Sequence, residues 1–198
     1  MCLDDGGAAE VRLSAEATKL FYDLVWPQRA FVLRASRVLV ANAHDAEDLA
    51  QETLMKAFRA IDSFRPGSNI RAWLMTILRN ARIDRLRAAG ASSQALSLDD
   101  LELDPPARAD SDEVWFQPQD ILGAFSDEQI IEALGDLPEE IRWTLLLVDV
   151  EQWDQREAAA LLGVPVGTIK SRTHRGRAML REALRPLARR MVHKQAGV

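Results

Sequence analysis

An all-α protein of two small helical domains joined by an acidic linker, the second domain containing a helix-turn-helix, is what this sequence predicts. Three observations carry the prediction. Apolar residues recur at steps of three and four in two separate blocks. The charge changes sign along the chain, and an Ala-Gly-Ile triplet has the spacing of a tight turn between two helices. Residues 25–90 hold 11 Lys+Arg against 6 Asp+Glu, residues 91–136 hold 1 against 12, and residues 137–198 hold 11 against 7. Two basic blocks therefore flank an acidic spacer, in a chain of 198 residues with formal net charge -5. The spacer contains the turn-forming run Gly90 to Ser93 and the dipeptide Pro105-Pro106, and it reads as a linker. The predicted division is a lead-in at 1–24, a first domain at 25–90, the acidic linker at 91–130, a second domain at 131–185 and a basic tail at 186–198. Each basic block has roughly 60 residues, near the lower limit for an independently stable core, so each is expected to be a compact helical unit.

Several function classes lose their footing early. The longest apolar run, around Leu145 to Val148, is interrupted by Asp149 and Glu151 and falls far short of the roughly 20 residues of a membrane-spanning helix. Acids stand in the first ten residues where a secretory signal carries basic ones, so a cytoplasmic location is expected. Cys2 is the single cysteine, which excludes a disulfide framework, a Cys-based zinc site and a CxxC redox pair. His44, His174 and His193 are too scattered for a ligand motif. No metal, no cofactor and no catalytic residue is expected, and no small-molecule substrate.

The first helix of the first basic block lies between Asp45 and Asp62. Ala46, Leu49, Ala50, Thr53, Leu54, Ala57, Phe58 and Ile61 form its apolar face. The opposite face carries Asp45, Glu47, Asp48, Gln51 and Glu52, then Lys56 and Arg59, an order that suits the helix dipole. A solvated, dipole-compensating face explains those acids as well as a partner does. The turn SFRPGSN follows, built on Pro66-Gly67, with Ser68 or Asn69 able to cap the next helix. In that helix Ile70, Trp73, Leu74, Ile77, Leu78 and Ala81 make the buried stripe, which assigns Trp73 to the core. Arg71, Arg79, Asn80, Arg82, Asp84, Arg85 and Arg87 crowd the rest of its surface, and five arginines on one helix suggest a phosphate track.

The run DAEDLAQETLMKAFRAIDSFRPGSNIRAWLMTILRNARIDRLR resembles the promoter-melting domain of bacterial sigma factors of the extracytoplasmic-function class, within the sigma-70 superfamily. The resemblance implies that Asp45, Asp48, Leu49, Gln51 and Glu52 contact the largest subunit of core RNA polymerase. It implies that the loop Ser63 to Asn69 captures a base flipped from the non-template strand of the minus-10 element, with Asn69 reading a base edge. Arg65 and Arg71 would hold flanking phosphates, and Arg79, Asn80, Arg82, Arg85 and Arg87 continue the minus-10 surface. Asn69 as a plain N-cap is compatible with base reading.

The second basic block opens at Gly135-Asp-Leu-Pro138-Glu-Glu, with Pro138 near the first helical position and acids in the first turn. Ile141, Leu145 and Val148 can pack inward. After Trp153, the spacing of Ala159, Gly163 and Ile169 supplies a small residue where helices approach, a glycine for the turn and a buried aliphatic anchor. If Val166, Ile169, Thr173, Gly176 and Leu180 face inward, Thr168, Lys170, Ser171, Arg172, His174, Arg175 and Arg177 remain outside as a cationic and hydrogen-bonding face suited to a major groove. The string PVGTIKSRTHRGR resembles the recognition helix of the same sigma class, which implies minus-35 binding by that face. His174 is read as a phosphate contact or a simply exposed side chain, with no role in pH sensing.

The acidic linker has two readings, a polyanion mimic lying in the polymerase channel or a solvated spacer extended by self-repulsion. Its apolar residues Val114, Trp115, Phe116, Ile121, Leu122 and Phe125 could pack on a domain or on a regulator. The resemblance implies core RNA polymerase and promoter DNA, double-stranded and melted, as partners, and an anti-sigma factor, often membrane-bound. Two other functions fit part of the pattern: a stand-alone helix-turn-helix regulator, which leaves the first block unexplained, and a helical protein-protein adaptor.

Overall fold

The structure is a computed structural model of the 198-residue chain, and it describes residues 14–90 and 127–195, with side chains as far as 186. The linker residues 91–126, and with them the acidic and apolar side chains discussed above, lie outside the described residues. The described residues are helical throughout, with no strand among them.

Helix α1 (Ala15–Leu20) starts at Ser14, whose hydroxyl accepts from the Ala17 N–H at 3.0 Å. It runs through a π turn, Phe21–Val25, into a short 3-10 turn at Trp26–Gln28, where Pro27 has no N–H to continue the helical ladder. Phe21 and Val25 are buried, and Phe21 meets Phe58 edge to face at 4.9 Å. The second half of the expected lead-in is thus part of the folded unit. Helix α2 (Arg29–Leu39) buries Phe31, Val32, Ala35, Val38 and Leu39, and α3 (Ala43–Arg59) packs along it. Asn42 caps α3, its side-chain oxygen accepting from His44 N–H and Asp45 N–H. Helix α4 (Ile70–Ala88) closes the first unit against α3 and buries Leu74, Met75, Leu78 and Ala81.

The second unit begins with α5 (Asp127–Gly135), which starts inside the span assigned to the linker. Helix α6 (Glu139–Leu145) begins directly after Pro138 and continues as a π turn, Leu146–Val150. The chain then reverses through Gln152, which has φ 57° without being glycine, and enters α7 (Gln155–Leu162), capped by Asp154. Gly163 ends α7 in the left-handed conformation, φ 71°, and Pro165 precedes α8 (Val166–Gln195). At the crossing of α6 and α8 the backbones approach over Gly176, where a Cβ would stand 2.7 Å from Ile141 Cγ2.

The two units do not have separate cores. Ile130, Ala133 and Leu134 of α5 join the side chains of α2 in one continuous apolar cluster that extends from Ala17 to Leu184. Two blocks of this size bury more apolar surface together than apart, which is where the expectation of self-contained blocks gives way.

Candidate promoter and polymerase surfaces

The acidic face of α3 is only partly open. Asp45 and Gln51 are exposed, and Asp48 is half exposed with His44 at 3.9 Å. Leu49 is fully buried, so it holds α3 to its neighbours and is corrected from a surface contact to a core residue. Glu52 accepts from Arg85 Nε at 2.6 Å and lies 3.0 Å from Lys56 Nζ, which also donates to Asp84 at 2.7 Å. Burial pushes the Glu52 carboxyl up, but hydrogen bonds from Arg85 and Lys56 outweigh it and hold the group below the usual carboxylate range. Arg85 also donates to the Asp45 carbonyl at 3.2 Å. Glu52 and Arg85, expected on two different surfaces, clasp α3 to α4.

The loop before α4 presents its polar residues outward on an aromatic base. Phe64 is buried, with its ring centroid 5.3 Å from that of Trp73, which fits the core role read for Trp73. Ser68 donates to the Arg65 carbonyl at 2.7 Å, and Gly67 supplies φ 87° for the turn. Asn69 is exposed and caps α4, its Oδ1 accepting from Arg71 N–H at 3.0 Å and Ala72 N–H at 3.3 Å. The cap uses only the amide oxygen, so the amide N–H groups stay outside it and capping and base reading are compatible in one side chain. Arg65, Asn80 and Arg87 are exposed as well.

Three other α4 arginines reach residues of the second unit. Arg82 makes a bidentate pair with Glu139 at 2.9 and 2.8 Å. Arg79 donates to the Leu162 carbonyl at 3.3 Å, and its burial disfavours the charged form. Arg71 lies over the Phe31 ring at 5.0 Å, donates to Gln28 at 3.0 Å and reaches Glu151 at 3.4 Å. Burial raises the Glu151 carboxyl above its ordinary range even though Arg71 and Arg34 are near it.

In the helix-turn-helix, the segments α7, Gly163 and α8 have the arrangement that the triplet predicts, and Ile169, Thr173, Gly176 and Leu180 are buried while Val166 is half buried. Thr173 satisfies its hydroxyl on the Ile169 carbonyl at 2.8 Å. Lys170, Ser171, His174 and Arg175 are exposed along one side, and Thr168 is half buried. Arg172 is corrected: it is 9% exposed and lines a small cavity with Arg79, Glu140, Trp143 and Leu162. The reason is helical phase, since Arg172 follows Ile169 by three positions and falls on the inward stripe. Arg177 is half exposed but held by Asp149 in a bidentate pair at 3.1 and 2.6 Å, which raises its already high pKa.

Sequence reasoning missed Glu139, Asp149 and Glu151 as the carboxylates that hold these arginines. Glu139, at the start of α6, carries an ordinary helix-dipole signature, and spacing along the chain does not reveal partners that lie 28 to 80 residues away.

Two family models match this arrangement, Sigma-70 region 2 over residues 28–92 and Sigma-70, region 4 over residues 127–180. The two units are thus sigma-70 regions 2 and 4. The chain is 35% identical over 77% of its length to the ECF RNA polymerase sigma factor SigE of Mycolicibacterium smegmatis, of which it spans 57%. It is 38% identical to EcfG of Rhodopseudomonas palustris, over 77% of this chain and 76% of that one. With SigW of Bacillus subtilis the identity is 30%, over 84% of this chain and 90% of the relative. The chain belongs to the extracytoplasmic-function family of RNA polymerase sigma factors. Among solved structures, it superposes on the sigma factor RpoE in complex with the anti-sigma factor NepR from Bartonella quintana, with TM-score 0.59, 30% identity and coverage of 87% of this chain and 98% of that one. It also superposes on CnrH in complex with the cytosolic domain of CnrY, with TM-score 0.55, 26% identity and coverage of 87% and 94%.

Proposed function

We propose that this chain binds core RNA polymerase, directs it to promoters through the minus-35 and minus-10 elements, and promotes melting of the DNA for initiation. The observation that carries the proposal is the exposed side of α8, where Lys170, Ser171, His174 and Arg175 stand together on the second helix of a helix-turn-helix. Lysine and arginine side chains there can meet phosphates or guanine edges, and the serine can meet either. At the other end, Arg65 and Asn69 project from the loop before α4, where a flipped base and its phosphates would be held. Unpairing costs only a few kcal/mol per base step, so binding energy released on the unstacked strand drives melting without a nucleotide hydrolysis site. Asp45, Asp48 and Gln51 offer the polymerase an acidic, hydrogen-bonding strip on α3.

The chain itself acts as a dissociable specificity subunit in the cytoplasm, and the chemistry of RNA synthesis belongs to the polymerase. An anti-sigma factor is proposed as its antagonist, supported by the superposed sigma factor RpoE, which is bound to the anti-sigma factor NepR. The test is selection of open complexes from a promoter library with purified chain and core polymerase. Paired minus-35 and minus-10 motifs should be enriched only when both are present. Enrichment by the chain alone would mean a free-standing regulator, and failure to bind core would remove the sigma reading.

A further inference from the structure

Two large rings stand together in water on the first unit: Tyr22 is 56% and Trp26 45% exposed, with their ring centroids 6.0 Å apart. Single exposed apolar side chains are ordinary, whereas two in contact form a patch. Arg29 completes it, with its guanidinium 5.3 Å over the Trp26 ring and donating to the Trp26 carbonyl at 3.2 Å. We propose that Tyr22, Trp26 and Arg29 form a stacking platform for unpaired bases of the melted non-template strand, next to the base captured by the loop before α4. This rests on the sigma reading above and adds to it three residues outside the surfaces described so far.

The platform is built before any strand arrives. Tyr22 meets Phe21 edge to face at 5.6 Å, and Phe21 meets Phe58 of α3 in the same way, so a line of rings runs from the core to the surface. Buried Phe21 and Val25 hold the turn from below, and Pro27 fixes the backbone directly after Trp26. Rings held in this way lose little freedom on binding. Two contacts set the platform beside the loop. Helix α1 packs against Ile61–Ser63, the residues from which the loop departs. At the loop's other end, Gln28 accepts from Arg71 Nε at 3.0 Å, and the Arg71 N–H donates to Asn69 at 3.0 Å, which ties the Trp26–Gln28 turn to Asn69. The charge suits a polyanion: Arg29 and Arg65 are exposed here, and Asp23 is matched by Lys19 at 2.7 Å, which leaves Asp62 as an exposed acid on this side. Every base has a π face, so such rings hold a strand without reading its sequence while neighbouring arginines meet its phosphates. Duplex DNA keeps those faces covered by its own stacking, so the platform selects the melted strand. The loop beside the rings is what favours a strand over a protein as their occupant.

The test uses the chain bound to core polymerase and a fork DNA made from a promoter of the selection above, double-stranded upstream and single-stranded in the non-template strand from the minus-10 element onward. Trp26→Ala should weaken binding of the fork roughly five- to hundredfold, the loss that removing one stacked base brings. Trp26→Phe should keep most of the affinity, whereas Trp26→Leu, apolar but without a π face, should lose it as alanine does. The upstream duplex offered alone should bind equally to all four proteins. 2-Aminopurine placed at successive positions of the single strand should be quenched by the wild-type complex at one or two of them and brighten with Trp26→Ala, which locates the platform on the strand. Tyr22→Ala should weaken fork binding in the same direction and serves as the second variant if Trp26→Ala loses its helical circular dichroism. Fork affinity unchanged in a folded alanine variant, or kept by Trp26→Leu, would overturn the platform. Weaker binding to core polymerase itself by the alanine variants would also overturn it and assign the rings to a protein surface. Wild-type chain that with core binds no promoter DNA would overturn the sigma reading, a failure visible without any variant, and the platform would fall with it.

Discussion

Gly176 is the position at which packing in the second domain can be weighed most directly. Replacing it with alanine puts a methyl group 2.7 Å from Ile141 Cγ2 and 3.1 Å from both Leu145 Cδ1 and Cδ2. Ile141 is β-branched, so its Cγ2 moves only by leaving a preferred χ1 rotamer or by shifting α6 itself. Overpacking costs about 1–3 kcal/mol, and a 2.7 Å contact, closer than real Cβ atoms come, with two more at 3.1 Å puts this one in the upper part of that range, about 2–3 kcal/mol. Alanine returns roughly 1 kcal/mol of helix propensity, so the net loss should be about 1–2 kcal/mol. For a chain of this size each kcal/mol corresponds to roughly 2–4 °C in Tm, which sets the expected fall at about 2–8 °C. Gly167, in the first turn of α8, has nothing within 4 Å of its own virtual Cβ, so Gly167→Ala should stabilise by a few tenths to about 1 kcal/mol. Urea unfolding of both variants, with the slope unchanged and the midpoint moving in opposite directions, isolates packing from propensity. A Gly176→Ala protein as stable as wild type would show that α6 and α8 do not cross at the separation described.

Four further outcomes follow from the same geometry. Asn69→Ala should cost about 1 kcal/mol through loss of the α4 cap, whereas Asn69→Ser should keep most of that stability; if Asn69→Ser melts promoters as well as wild type in a fluorescent-base assay, base reading by the amide is excluded. Asp149→Ala should cost about 1 kcal/mol, discounted because the Arg177 guanidinium is half exposed and can turn to water, and thermal unfolding will measure it. Because Glu52 titrates below its unfolded value, its contribution is present above pH ~4.3 and is lost as pH falls through the lower folded value, so Glu52→Gln should flatten stability across that acid window and a wild-type slope would refute the assignment. Lys170→Ala and Arg175→Ala should each weaken minus-35 binding and reduce the salt-dependence slope by about 1, and unchanged slopes would remove them from the DNA surface.

The helices were legible because their signals are local. The apolar stripes of α3 and α4, the caps at Asn69 and Gly163 and the triplet at Ala159, Gly163 and Ile169 depend on neighbours within a few turns, and all stand where the spacing puts them. Surface assignments were less secure because periodicity gives a helix its phase but not its partners. Arg172 shares the inward stripe with Ile169, yet a charged side chain reads as outward unless something across the fold shelters it. Leu49 was assigned to a contact through resemblance although its place in the apolar stripe already made it core. The shared cluster of α2 and α5 was illegible for a different reason: the acidic span between the two blocks carries the composition of a spacer, which conceals the short helix at its end.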